Sequence, residues 1–166
     1  FFLPDGSGYG FTPLINGISK PFLMDLDGRN KRDVTGSGGG FAYGYSASPD
    51  GMRISYHENY QIFVSNTDGS DKRRIETGNP FNFAPQWSPD GEWVVYVARE
   101  GADGAIRRRN PTGVDEITIA EGQGLNPRWS RNGQFIAFSR VNEDGSVDLV
   151  VVDKDGNGES VVAAGV

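Results

Sequence analysis

The one histidine of this 166-residue chain, His57, stands beside Glu58. An imidazole next to a carboxylate could act as a general base near neutral pH or ligate a metal. A histidine-rich metal centre needs partners that the chain does not supply, because it has no second histidine and no cysteine. Neither a metal nor another cofactor is expected, and His57 reads as a loop or strand-end residue. Without cysteine, thiolate nucleophiles and disulfides are excluded as well.

Two arginines, Arg99 and Arg140, could neutralise a carboxylate on a ligand. Aromatic rings accompanied by amides suit a sugar or a peptide, and Phe41, Tyr43, Tyr45, Phe81 and Phe83 lie near Asn79 and Asn82. Asn126 occupies a comparable stretch, Gln123-Gly124-Leu125-Asn126-Pro127. The ligand-binding candidates are therefore Tyr43, His57, Glu58, Phe81, Asn82, Arg99, Asn126 and Arg140, with no catalytic set among them.

Other motifs fall short of a chemistry. Gly36-Ser37-Gly38-Gly39-Gly40 lacks the Lys-Ser/Thr that a phosphate-cradling loop requires. Gly44-Tyr45-Ser46-Ala47-Ser48 misses the last glycine of a nucleophile elbow. Asp25-Leu26-Asp27-Gly28-Arg29-Asn30 lacks the length and closing Glu of a calcium loop and reads as a turn. A net charge of −6 argues against nucleic acid as a partner, and the single basic run, Arg107-Arg108-Arg109, reads as solvated. No apolar run approaches the ~20 residues of a membrane-spanning helix.

The elements that must position these residues follow from a repeat. Trp87-Ser88-Pro89-Asp90-Gly91 is echoed by Leu3-Pro4-Asp5-Gly6, Ser48-Pro49-Asp50-Gly51 and Trp129-Ser130-Arg131-Asn132-Gly133, at intervals of 40 to 45 residues. After each copy comes a β-branched and aromatic run, such as Trp93-Val94-Val95-Tyr96-Val97, then a loop, a second run ending in a turn such as Asp68-Gly69, and a short closing run. Asp-Gly between extended runs predicts a tight two-residue hairpin turn. Each unit thus holds four short antiparallel strands, and such sheets repeated radially are the blades of a β-propeller. The fold expected is all-β, with about four blades spanning approximately residues 1–38, 39–78, 79–121 and 122–166. Helix should be minor, given 24 glycines and few helix-favouring runs.

Residues 1–3 leave a short inner strand for the first blade. The sequence opens on Phe1-Phe2-Leu3 without an initiator Met or a basic targeting segment, so any such segment is expected to have been removed or to lie outside it. A partial propeller, or half of an eight-bladed ring made by two copies, is expected. Pro13 in the first unit and the arginine run in the third predict irregular or edge-like blades there.

The pattern Pro-x-Trp-Ser-Pro-Asp-Gly-x-x-(Val/Ile)-x-(Tyr/Phe), carried best by residues 85–96 and 127–138, resembles the WD40-like repeat (PD40 type) of TolB-like β-propellers. The second turns at Asp25-Leu26-Asp27-Gly28 and Asp153-Lys154-Asp155-Gly156 match it too. The resemblance implies a bacterial, periplasmic or extracellular binding scaffold whose partner is a protein or peptide. It is shared by the oligogalacturonate lyases, which implies acidic sugars as the alternative, with Arg99 or Arg140 on a uronate. A propeller piece with no ligand of its own, assembling into a larger ring, is the further alternative. The tight turns face away from the variable loops, so binding is expected on the loop side.

Overall fold

The computed structural model describes residues 1–35, 41–101, 103–112 and 114–165, with the backbone alone for Tyr43 and Asp103; the Gly36-Ser37-Gly38-Gly39-Gly40 connector lies outside the described residues. The first sheet is formed from β1 (Gly8–Phe11), β4 (Phe22–Asp25) and β5 (Arg32–Asp33), with a small hairpin, β2 (Leu14–Ile15) and β3 (Ile18–Ser19), inserted between β1 and β4. The second holds β6 (Ala42–Ala47), β7 (Arg53–Glu58), β8 (Gln61–Asn66) and β9 (Arg73–Arg74). The third holds β10 (Phe81–Trp87), β11 (Val94–Glu100), β12 (Asp103–Arg109) and β13 (Glu116–Glu121). The fourth holds β14 (Gly124–Trp129), β15 (Phe135–Val141), β16 (Val147–Asp153) and β17 (Ser160–Ala163). The last three are antiparallel meanders in sequence order, the blade architecture of a propeller. Among the described residues no helix is long and apolar enough to cross a membrane.

Residues 1–3 do pair along β1, through a Phe2–Tyr9 bridge and a bond from the Gly10 N–H to the Phe1 carbonyl (2.8 Å). The first sheet is irregular as Pro13 predicts, since β1 stops at Phe11 and the inserted hairpin follows. The third is irregular only in register, slipping between Ile106 and Arg107 against β13 and between Phe83 and Gln86 against β11. Strand β12 runs unbroken through Arg107, Arg108 and Arg109, which pair with Tyr96, Val95 and Val94 of β11. Nor is the run solvated: Arg108 is buried, its guanidinium 4.2 Å from the centre of the Trp93 ring and 2.5 Å from Asp155 in the fourth sheet. Arg107 and Arg109 both ion-pair with Glu116. Alternation along a strand splits a charge run between two faces, and here each face supplies counter-charge or an aromatic ring.

The repeated turn has one hydrogen-bond scheme in three copies. Ser48, Ser88 and Ser130 Oγ accept from the N–H groups of Arg53, Trp93 and Phe135 at 2.9–3.0 Å. The same hydroxyls donate to Asp50, Asp90 and Asn132, whose Oδ1 atoms accept from the N–H two residues on. Holding these donors keeps the Asp50 and Asp90 carboxyls below the usual carboxylate range; for Asp90 the Ser88 and Glu92 bonds outweigh its partial burial. Gly51, Gly91 and Gly133 take positive φ (71°, 74°, 69°) and each lies against the proline of the preceding copy, Pro4, Pro49 and Pro89. The second turns are looser than the expected two-residue hairpins. The Gly69 N–H bonds Asn66 O and the Asn66 N–H bonds Ser70 O, a three-residue loop closed by a left-handed glycine. True two-residue turns lie between β7 and β8, where Asn59 and Tyr60 both have positive φ, and between β2 and β3, where Asn16 and Gly17 do.

The core lies between the sheets. Leu3, Leu23 and Val34 of the first meet Ile54 and Tyr56 of the second; Ile62, Val64 and Ile75 of the second meet Trp87, Val94 and Tyr96 of the third. Val95, Val97, Ile106 and Ile119 of the third meet Ile136, Phe138, Val150 and Val152 of the fourth, with Trp129 at the margin. Trp87 and Trp129 are therefore packing residues, and Arg53 of the second sheet stacks on Trp87 at 4.6 Å.

Ser88 is almost completely buried beneath its turn, whereas Ser7 of the first copy is exposed. Ser88→Ala is expected to cost about 1–2 kcal/mol in urea unfolding, and Ser7→Ala less than about 0.5 kcal/mol.

Candidate functional site

Each inner strand carries a bulge where register slips against its neighbour: between Tyr43 and Ser46, Phe83 and Gln86, and Leu125 and Arg128. The residue that makes it is left-handed in every case, Gly44 (φ 62°), Ala84 (φ 48°) and Asn126 (φ 51°), and lies seven residues before the turn glycine. Asn tolerates this region and Gly prefers it, but Ala does not. Strained residues and bulges in one place commonly mark a binding site.

These bulges gather around His57. Gly44, His57, Phe83, Ala84, Val97, Arg99, Leu125 and Asn126 line a cavity of about 340 Å³ shared by the second, third and fourth sheets. His57 lies in β7 rather than in a loop, and is 2% exposed. Its Nδ1 accepts from the Ala84 N–H at 3.4 Å, and its ring meets Phe83 edge-on with centroids 5.7 Å apart. Gly44 is required here, since a Cβ would stand 2.8 Å from His57 Nδ1. Burial pushes the imidazole down to about 4, so it is neutral at pH 7 and a weak base.

Arg99, at the end of β11, is half-buried and has no carboxylate within ion-pairing distance among the described residues. It is the cation of this cavity, whose walls are Phe83, Val97 and Leu125. Phe41, Asn59 and Tyr60 line a second cavity that shares His57, and Phe41, Tyr60 and Phe81 are each more than 40% exposed. Tyr60 meets Phe81 and Phe83 edge-on at 5.2 and 5.5 Å. The turn and connectors that carry these rings are tied together on one side, the Asn59 N–H to Phe41 O and the Asn82 N–H to Tyr60 O.

Of the residues singled out from sequence, His57, Arg99 and Asn126 thus share one cavity, and Phe81 packs edge-on against Tyr60 of the neighbouring one. The backbone of Tyr43 pairs with His57, and its side chain lies outside what is described. Asn82 is buried, its amide donating to the Tyr60 and Asn79 carbonyls (3.1 and 2.9 Å). Glu58 is buried in an ion pair with Lys72. Arg140 lies apart, held by both oxygens of Glu159 in a groove with Glu121, Gln123 and Asn142. Sequence reading did not select Gly44, Ala84 or Tyr60. The shared spacing of Gly44, Ala84 and Asn126 from the turn glycine is the signal that finds the first two. Among the described residues no cluster of three or more His, Asp or Glu could hold a metal ion.

The depressed His57 value has a pH signature. The unfolded imidazole takes up its proton near the ordinary 6.5 and the folded one only near 4, so stability is whole at neutral pH and falls as pH drops through that window. The loss is expected to reach at most about 3 kcal/mol. Urea unfolding across pH 7 to 4.5 measures it, and an NMR titration should show His57 still neutral at pH 5.5; a His57 that titrates near 6.5 contradicts the assignment.

The sequence model described as the TolB beta propeller domain, PD40, matches residues 1–165. An uncharacterized protein of Agrobacterium fabrum is 26% identical over 148 residues, 85% of this chain and 50% of that protein. The Tol-Pal system protein TolB of Desulfosudis oleivorans is 27% identical over 97 residues, 58% of this chain and 22% of that protein. The solved structure of putative TolB from Agrobacterium tumefaciens superposes with a TM-score of 0.84 at 22% identity, covering 99% of this chain and 65% of that one. The chain spans half the length of the first of these relatives and less than a quarter of the second. With nearly every residue matched and the blade architecture in place, the chain belongs to the TolB-type PD40 β-propeller family.

Proposed function

We propose that this chain is a non-enzymatic propeller scaffold that binds a protein or peptide on its loop side, with a ligand carboxylate on Arg99. The observation that carries this reading is the half-buried Arg99 guanidinium, with no ion-pair partner among the described residues, in a cavity walled by Phe83, Val97 and Leu125, beside a second cavity lined by Phe41 and Tyr60 that shares His57. Exposed aromatics grouped in this way are the usual anchors of a protein interface. An arginine freed of competing carboxylates, in a chain of net charge −6, selects an anionic group. Neutral His57, its Nδ1 taken by Ala84, adds shape rather than charge. The relative named for the Tol-Pal system supports a protein partner, and by that likeness a periplasmic or extracellular location is proposed as well.

Calorimetry with short peptides carrying an aromatic residue beside a terminal or side-chain carboxylate tests the reading against oligogalacturonate. Micromolar binding of such peptides, weakened tenfold to a hundredfold by Arg99→Gln, is expected from the loss of one charge-assisted contact. Binding of the oligosaccharide alone, or peptide binding indifferent to Arg99→Gln, overturns it. Arg140→Gln is expected to leave binding unchanged, because Arg140 is already held by Glu159.

A further inference from the structure

The outer strands of the second and third sheets meet at another groove, of about 360 Å³, whose lining includes Arg73, Ile75, Arg109, Pro111, Thr112 and Val114. It lies at the opposite end of the third sheet from Arg99. Arg109 pairs with Val94, which follows the Ser88-to-Gly91 turn, whereas Arg99 pairs with Phe81 and Gly104 beside the loops.

Alternation decides which side chains face this groove. Ile75 is buried in the cluster shared by the two sheets, so Arg73, two residues before it on the same edge, points toward the third sheet. Val94 and Tyr96 belong to that cluster too. Their cross-strand partners Arg109 and Arg107 therefore point toward the second sheet. Arg74 and Glu76 have the other parity and bind each other through both carboxylate oxygens.

Acceptors are scarce between these walls. Glu116 alone serves the third sheet's two guanidiniums: Oε2 takes Arg107 at 3.3 Å, and Oε1, which stands 3.5 Å from Arg109, already accepts from the Tyr96 hydroxyl. Arg107 Nε is buried with no hydrogen-bond partner among the described residues. Arg109, its side chain only 15% exposed, has no other ion pair among them. On the facing wall Arg73 leans on Asp71 at 2.9 Å, with both side chains more than half exposed. Exposed pairs of this kind are weak and give way to a competing anion.

We infer that this groove is an anion site, and that its ligand is a phosphate group held between Arg73 on one wall and Arg109 on the other. A carboxylate has two oxygens in one plane, which a single guanidinium fork uses up. A tetrahedral phosphate turns oxygens to both walls at once and brings a second charge near neutral pH. Ile75, Pro111 and the exposed Val114 offer apolar contact to the carbon part of a small phosphate ester. A polynucleotide would need a long cationic track, and the chain's net charge is −6. A small ester needs only the two arginines.

NMR titrations of the chain with phenyl phosphate and with benzoate, which share a ring and differ in the anion, test this. The amides of Arg73, Ile75, Thr112 and Val114 are expected to shift saturably with phenyl phosphate, at a Kd of about 1 mM or below, and benzoate to bind about tenfold more weakly. Arg73→Gln and Arg109→Gln are each expected to weaken phenyl phosphate about tenfold. Arg73→Gln, at an exposed position, carries the test if Arg109→Gln does not fold. Benzoate binding as tightly as phenyl phosphate overturns the assignment to phosphate. No saturable shifts, shifts confined to the loop-side cavity, or binding indifferent to both substitutions overturns the site itself.

Discussion

A four-stranded sheet of about forty residues has two faces to cover and no interior of its own. In this chain that burden is met by pressing an aromatic-bearing face of one sheet onto the sheet before it. Tyr56, Tyr96 and Phe138, all but fully buried, are the residues through which the load passes, and each sits in a cluster shared between its own sheet and the one before it. Stability in such a stack is a sum of sheet terms and junction terms. A sheet in the middle is held on both sides, and a sheet at the end on one.

The site inherits its geometry from the same stacking. Three inner strands converge because their sheets are stacked, and each turns a left-handed bulge residue, Gly44, Ala84 or Asn126, toward a common cavity. His57 of the second sheet reaches the Ala84 amide of the third, so the wall of the cavity is itself a junction between sheets. The strain of a left-handed alanine is carried there by the two junctions that hold the third sheet. Arg99 projects from the end of a strand fixed on both faces, and the strand sets where its guanidinium meets the cavity.

Much of the architecture was legible in the sequence, because a turn needs particular residues and a strand needs alternation, and both recur with the period of the repeat. Ser88, Asp90 and Gly91 announce their roles locally, within a few residues of the amides they bind. What could not be read locally depends on partners distant in sequence. Arg108 is buried because Asp155, 47 residues on, and the Trp93 ring enclose it, so a run that reads as solvated is interior. Glu58 meets Lys72 fourteen residues away, and the amide of Asn82 is taken up by Tyr60 O. Both residues have types suited to ligands, and only the folded chain shows that the Glu58 carboxylate and the Asn82 amide nitrogen are already engaged. Arg99 and His57 could be named as candidates from their types, yet their shared cavity follows from how three sheets meet.

The dependence of every sheet on its neighbours is tested most directly by amide hydrogen exchange resolved strand by strand in the monomeric chain. The account predicts the slowest exchange in β7, β11 and β12 of the second and third sheets, each packed on both sides, and faster exchange in β1, β4 and β15 of the first and fourth, each packed on one. Protection as high in β1 and β4 as in β11 would contradict it, since each sheet would then hold itself without a neighbour.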